Sequence, residues 1–223
     1  MQYASEDIYS AEGFLGQYCS LIPKLDMVVA ITSATGAKAE IGADDMLRDC
    51  IVDPLLNNTQ TEEIPPEMLE RKRQYMNLTP RMLKIEDEPV LKETRTYAVE
   101  ENEDHITKII LHFDEENVLF GMEDDRGLNW VDAGLRYTKE GYSGVTANYL
   151  HHEMQSEHDH IFAGAWWETP DTLKMEWRFV ETAFCDFITI TFDGDEMCFH
   201  RCVNVNSKAL ERPLIKGHLD DKR

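Results

Sequence analysis

Leu173-Lys174-Met175-Glu176-Trp177-Arg178-Phe179 alternates without a break, large apolar residues at the odd positions and charged ones at the even positions. Successive side chains of a strand point to opposite faces, so this heptapeptide reads as a strand with one face in a core and the other in water. Working outward, Ile188, Ile190 and Phe192 make the next apolar face. Asp193-Gly194-Asp195 supplies hairpin-turn chemistry, because glycine tolerates positive φ. Met197, Phe199, Val203 and Val205 continue the pattern. Strands joined by links this short form an antiparallel meander. Upstream, Thr94 to Val99, Ile106 to Phe113, Val118 to Met122 and Ala163 to Glu168 read as further strands separated by acidic turns. Residues 91–223 are therefore expected to form an antiparallel β-rich domain, a barrel or a sandwich.

The first 60 residues follow a different rhythm. Tyr18 to Ile22 reads as a strand, Pro23-Lys24-Leu25-Asp26 as a turn, and the apolar run Met27 to Thr32 as a strand buried on both faces. The two make an antiparallel pair with the second strand central. Beyond Gly36 the apolar residues Ala43, Met46, Leu47, Cys50, Ile51, Pro54 and Leu55 recur at helical spacing, and Pro54 is expected to end or bend that helix. A strand pair and one helix cannot enclose a core, so the unit needs a partner surface. Residues 61–90 are expected to be a linker, with a short helix from Glu67 to Tyr75 started by Pro65-Pro66. The fold class is α+β, mainly β: domain 1–60, linker 61–90, and domain 91–223.

Charge narrows the partners. Lys and Arg number 22 against 43 Asp and Glu, a formal net charge of -21 across 223 residues. Such a surface repels phosphate backbones and anionic lipid, so nucleic acid and membranes are not expected as partners. No apolar run approaches the length of a membrane-spanning helix, and Met1 to Ile8 lacks the basic start and apolar run of a signal peptide. The 5 cysteines are odd in number, irregular in spacing and without a C-x-x-C, which suits reduced thiols and a cytoplasmic location. Cys198 and Cys202 lie four apart on an expected strand and are read as packing residues.

Tyr9-Ser10-Ala11-Glu12-Gly13-Phe14-Leu15-Gly16-Gln17-Tyr18, followed by Ile22-Pro23-Lys24-Leu25-Asp26-Met27-Val28-Val29-Ala30-Ile31-Thr32-Ser33, resembles the C-terminal region of serine beta-lactamase-related proteins, the group of class C beta-lactamases, penicillin-binding proteins and esterases. There a G-x-x-G-Q segment, a Pro-x-Leu-Asp turn, a V-V-x-x-T-S strand and a C-terminal helix occur in this order. The resemblance covers residues 8–57. It implies a serine hydrolase built on a Ser-x-x-Lys nucleophile, a Tyr-x-Asn or Ser-x-Asn proton-transfer motif, and a Lys/His-Thr-Gly-like strand lining the pocket. The third motif alone maps here, onto Ala11, Glu12 and Gly13, with Ala11 where a lysine or histidine often stands. The chain is thus expected to be a non-catalytic C-terminal portion, inactive alone, that supplies a pocket-wall strand and an accessory β-domain; some relatives carry a lipocalin-like barrel after the catalytic domain. Its expected partner is an upstream catalytic domain, or a second copy. The alternatives are a lipocalin-like barrel that binds a small apolar ligand, and an oligomeric interaction module.

The densest set of ligand-type side chains is His151, His152, Glu153, Glu157, His158, Asp159 and His160. Imidazoles and carboxylates suit zinc or another divalent metal, and His151, His152, His158 and His160 are the candidate ligands; the competing reading is a polar loop before a strand, and no cofactor is expected. Trp130, Trp166, Trp167 and Trp177, with Tyr137, Tyr142 and Tyr149, are expected to line a barrel cavity or to fill its core, and neighbours Trp166 and Trp167 must face opposite ways. The acidic stretches Glu100 to Asp104 and Asp114 to Glu116 read as solvated turns.

Overall fold

The computed structural model describes residues 2–5, 8–34, 42–58, 64–75, 91, 93–145, 149–151 and 158–220. The chain divides into two units, Met1–Leu78 and Thr79–Arg223. The linker expected at 61–90 is described only over residues 64–75, which include the helix Pro66–Tyr75, named α3 below.

In the first unit β1 (Gln2–Ser5), β2 (Ile8–Gly13), β3 (Gln17–Ile22) and β4 (Met27–Ile31) pair in chain order, all antiparallel. The expected pair is present as β3 and β4. The link between them is a tight 3-10 turn, Pro23–Leu25, released by Asp26 at φ 47°. One sheet face buries Ile8 and Ile22 beside Met27, Val29 and Ile31, and a Ser10–Ser20 hydroxyl pair at 2.8 Å satisfies the two polar groups buried there. The run Met27 to Ile31 is not central, as its unbroken hydrophobicity suggested. Among the described residues β4 is the edge of the sheet, and Val28, like Leu21 opposite it, projects from the uncovered face, 65% exposed.

The helix departs from its expected register for a covalent reason. Ala43–Leu47 (α1) runs into a π-turn, Arg48–Val52, before Asp53–Leu56 (α2). The Asp53 N–H reaches back five residues to the Arg48 carbonyl. Pro54 has no N–H and its ring collides with the carbonyl four residues back in a regular α-turn; the wider turn before it relieves that collision. The extra residue rotates the buried face. Leu47, Val52 and Leu56 pack on the sheet, whereas Met46, Cys50, Ile51 and Leu55, on the stripe expected for an unbroken α-helix, are exposed.

The second unit is a closed barrel. Its strands are β5 (Arg95–Val99), β6 (Lys108–Phe113), β7 (Asn117–Asp124), β8 (Gly127–Leu135), β9 (Lys139–Ser143), β10 (Asp159–Thr169), β11 (Thr172–Phe179), β12 (Cys185–Asp193), β13 (Glu196–Val203) and β14 (Ile215–Leu219). Nine of them close the ring in the order β11-β12-β13-β14-β5-β6-β7-β8-β10 and back to β11. An odd ring cannot be antiparallel throughout, and the one parallel contact is β8 on β10, through Gly134↔Gly164 and Ala165↔Leu135. β9 is the segment that reverses direction between them. It pairs antiparallel with residues 159–163 of β10, along the same edge that β8 meets at 164–165, because β11 fills the other edge. The far end of β8 stays beside β9, with Arg126 Nη2 donating to the Gly144 carbonyl at 3.0 Å. β9 is thus a wedge that widens the end of the barrel where β10 begins.

The alternation in 173–179 sets the interior. Leu173, Met175, Trp177 and Phe179 face inward with their cross-strand partners Trp167, Ala165, Ala163 and Ile161 on β10. Ring contacts cross the axis: Phe120 lies 5.1 Å from Trp177 and 5.9 Å from Phe199 between centroids, and Trp167 lies 5.9 Å from Phe192. Pairs of this kind favour tilted and offset geometries and bury large areas. The Trp166/Trp167 expectation holds, since Trp167 is buried and Trp166 turns outward. Trp130 also lies outside, over Gly121, where an added Cβ would stand 2.6 Å from the indole.

Candidate functional site

Two places carry candidate chemistry, one in each unit. The first is Ala11-Glu12-Gly13 on β2. These residues pair with Cys19, Tyr18 and Gln17 of β3 and are exposed. The pairing of β1 with β2 ends at Ser10, so among the described residues the other edge of 11–13 carries no strand. Its backbone N–H and C=O groups are an open ladder for an extended substrate or a further strand. The turn behind it is fixed by Leu15 at φ 62° and Gly16 at φ 87°, and by Ser33, whose hydroxyl donates to the Gly16 carbonyl while its own carbonyl accepts from Gln17 Nε2. The strand offers backbone groups and one carboxylate, Glu12. Residues 11–13 carry no nucleophilic and no cationic side chain.

The second place is the wide end of the barrel. Asp186 is the first inward residue of β12 and is completely buried. Its Oδ2 accepts from Arg201 Nε at 2.7 Å and lies 2.6 Å from Arg201 Nη2 in the ion pair, and its Oδ1 is 2.6 Å from His151 Nε2. The Arg201 guanidinium lies 5.3 Å from the Trp177 ring centre, and the His151 imidazole stacks on Phe184 at 4.3 Å and meets the edge of Phe179 at 4.6 Å. A carboxyl group this deeply buried has lost its hydration, and these partners replace it. The turn bearing His151 is fastened independently: Asn206 Nδ2 donates to the carbonyls of Tyr149 and Leu150, Arg212 covers the Tyr149 ring at 4.4 Å, and Leu150 is buried. His151 and Asp186 have the contact of a general base and its orienting acid. The neighbouring Cys185 faces away from them: its thiol donates to Glu176 at 3.6 Å, and burial pushes it far above the ordinary thiol range. Asp186, Arg201 and His151 thus form a buried polar cluster at this end of the barrel, the polar plug.

Of the four candidate metal ligands, the three described ones, His151, His158 and His160, form no common group. His151 belongs to the plug, and His152 lies outside the described residues. His158 and His160 stack on Tyr142 of β9, at 5.1 and 4.9 Å, and His160 Nε2 is 2.7 Å from Glu140. Among the described residues no group of three or more His, Cys, Asp or Glu side chains is placed to hold a metal ion. The acidic turn at 100–104 is more than solvated surface, because Asp104 and Glu103 hold Arg212, with the shortest Asp104 contact 2.6 Å. All five cysteines are free thiols.

The plug escaped a reading by residue type, although its signal was there. Asp186 stands in phase with Ile188, Ile190 and Phe192, and Arg201 stands between Phe199 and Val203. A charge at an apolar phase of a strand is a buried charge in need of a partner, and here two such breaks in phase, on adjacent strands, partner each other.

No known family's sequence profile matches the chain, and no curated protein matches it. Among the described residues no helix is long and apolar enough to cross a membrane.

Proposed function

We propose that residues 8–57 are the C-terminal part of a serine beta-lactamase-like hydrolase domain, contributing one wall of its substrate pocket, and that the barrel is an accessory domain of the same protein. The observation that carries this reading is the open edge of Ala11-Glu12-Gly13 on the first strand of a β2-β3-β4 meander followed by a helix that packs on one sheet face. That order and that free edge are what a pocket-wall strand needs, with backbone N–H groups facing the bound acyl group. The exposed face around Val28 and the edge of β4, which carries no strand among the described residues, also suit a unit that belongs to a larger sheet.

The nucleophile comes from elsewhere in this reading. No serine among the 223 residues is followed by a lysine three positions later. The chain by itself is therefore expected to leave nitrocefin and p-nitrophenyl esters intact and to remain unacylated by benzylpenicillin in an intact-mass measurement. A penicilloyl adduct on any serine of this chain overturns the proposal. The positive test is the coding sequence directly upstream of Met1: the reading expects a Ser-x-x-Lys in frame or in an adjoining partner gene, and a neighbourhood without one removes its basis.

The small-ligand reading of the barrel gains less support, because Trp177 and Trp167, the inward members of the tryptophan set expected to line a cavity, pack on Phe120 and on Phe192. Homo-oligomerisation remains the alternative for the open edges of the first unit.

A further inference from the structure

The edge of β10 facing β8 is shared. Over 164–165 it is held by β8 in parallel, and over 159–163 by β9 in antiparallel pairing. Continuing the β8 register past Gly134↔Gly164 brings Ala133 to Ala163, Asp132 to Phe162 and Val131 to Ile161. The faces agree at every step. Ala133, Val131, Ala163 and Ile161 are all buried inward, while Asp132 and Phe162 point outward. A one-residue offset would have put every side chain on the wrong face; here none is needed, and the first pair to meet is two alanines.

We propose that β9 is a displaceable strap, and that β8 takes its place on β10 to give the plugged end of the barrel a second, narrower closed form. Among the described residues no backbone ladder joins β8 to β9. The links are side-chain contacts: Lys139 Nζ to Asp132 at 2.6 Å, with both groups partly exposed, and, at the strand ends, Arg126 to the Gly144 carbonyl at 3.0 Å. Exposed ion pairs hold weakly. β9 therefore depends on its pairing with β10, and that edge has a second competent occupant. The backbone allows the exchange at one point, since Arg136, at φ 78°, is the reversal where the chain leaves β8 for β9. The strap-in form keeps the longer ladder and is the ground state; the narrow form is a minor population that release of β9 enriches.

The test is a cysteine pair at 131 and 161 in the full chain, V131C with I161C. With β9 in place Gly141 pairs with Ile161 and stands between the two positions. Two strand spacings are about 9.6 Å, beyond the Cα separation of ~7 Å that a disulfide spans. Under mild oxidation the linked 131–161 peptide is expected to accumulate slowly, and several-fold faster when G141P or K139M weakens the strap. Absence of that peptide in all three backgrounds, in protein that keeps its β circular dichroism, overturns the proposal, as does a rate that neither substitution changes. Should the cysteine pair fail to fold, hydrogen exchange on the unaltered chain decides: a strap requires the amides of 139–143 to exchange ahead of those of 159–163, and equal exchange of the two rules it out.

Discussion

Arg201 donates to Asp186 from Nε at 2.7 Å, where neither side chain meets more than a trace of solvent. The two lie on adjacent antiparallel strands and two residues out of register, since Asp186 is opposite Val203 and Arg201 is opposite Ile188. Arg201 thus reaches diagonally along the barrel wall, and the Trp177 face lies beside its guanidinium. The pair closes the wide end together with His151.

Removal of one partner strands the other. Asp186→Ala leaves the Arg201 guanidinium buried without its carboxylate, and Arg201→Ala leaves the carboxylate without its guanidinium; each is expected to destabilise the protein by about 3–5 kcal/mol. Exchanging both for apolar residues, Asp186→Leu with Arg201→Met, should cost less than either single change, because no orphaned charge remains. Urea unfolding of the three variants measures this. A double variant as unstable as the sum of the singles would mean that the two side chains act independently, and would contradict the buried-pair reading.

Helix register gives a sharper contrast. Val52→Ala removes a side chain packed on the sheet and is expected to cost roughly 1–3 kcal/mol, whereas Ile51→Ala, at an exposed position, should stay within about 0.5–1 kcal/mol. An uninterrupted α-helix, with Ile51 on the buried stripe, requires the opposite ranking. Thermal melts of the two variants distinguish the arrangements.

These residues also mark where the sequence could be read. Strand existence was legible wherever alternation was strict: 173–179 is β11, and Ile188 to Phe192 falls within β12. Asp193-Gly194-Asp195 is a turn with Gly194 at φ 61°, as its composition demands. Periodicity could not foresee the π-turn, because a proline inside an apolar stripe carries no information on whether the helix ends, bends or widens. It placed Met27 to Ile31 in the middle of a sheet from hydrophobicity alone, but pairing partners are long-range facts that a local run does not hold. Closure of an odd ring through the parallel β8–β10 contact is likewise absent from any local pattern. The candidate site was half legible. Ala11, Glu12 and Gly13 could be singled out by motif, their open edge only by structure, and the plug was visible only as two charges at the apolar phase of their strands.

Glycines divide by what surrounds them. A Cβ on Gly134 would lie 2.7 Å from the Tyr137 carbonyl oxygen and 2.8 Å from its ring, so Gly134→Ala must shift backbone at the seam where β8 meets β10. A cost of about 1–3 kcal/mol is expected. A Cβ on Gly141, in β9, meets nothing within 4 Å, and Gly141→Ala should be neutral or mildly stabilising through the unfolded chain. Paired melting curves test the difference, and equal effects would contradict the close approach at the seam.

Asp114 links one barrel turn to pH. Backbone hydrogen bonds from Glu116, then the Asn117 side chain and backbone, hold its carboxyl below the ordinary aspartate range. A depressed carboxylate contributes stability that is fully present above its unfolded value and is lost as pH falls through its folded value. The turn between β6 and β7 is therefore expected to keep its amide protection through mild acid and lose it only below the ordinary aspartate range, with Asp114→Asn abolishing that step. Carbon-detected NMR of the Asp114 carboxyl gives the midpoint directly, and an unshifted titration contradicts the capping geometry.

Thiol reactivity reports on whether the barrel end stays closed in solution. Cys19 on β3 and Cys50 in the π-turn are exposed, whereas Cys185 is buried against Glu176, and burial followed by that carboxylate raises its pKa. A raised thiol pKa means less thiolate at any working pH, and the thiolate is the species that reacts. A short pulse of iodoacetamide at mildly alkaline pH should label Cys19 and Cys50 first and Cys185 only after denaturant unfolds the barrel, as read by peptide mass spectrometry. In the Asp186→Ala variant, with the adjoining plug broken, Cys185 is expected to label under native conditions. Early labelling of Cys185 in the unaltered protein would mean that the end of the barrel at β12 opens far more readily than its buried contacts imply.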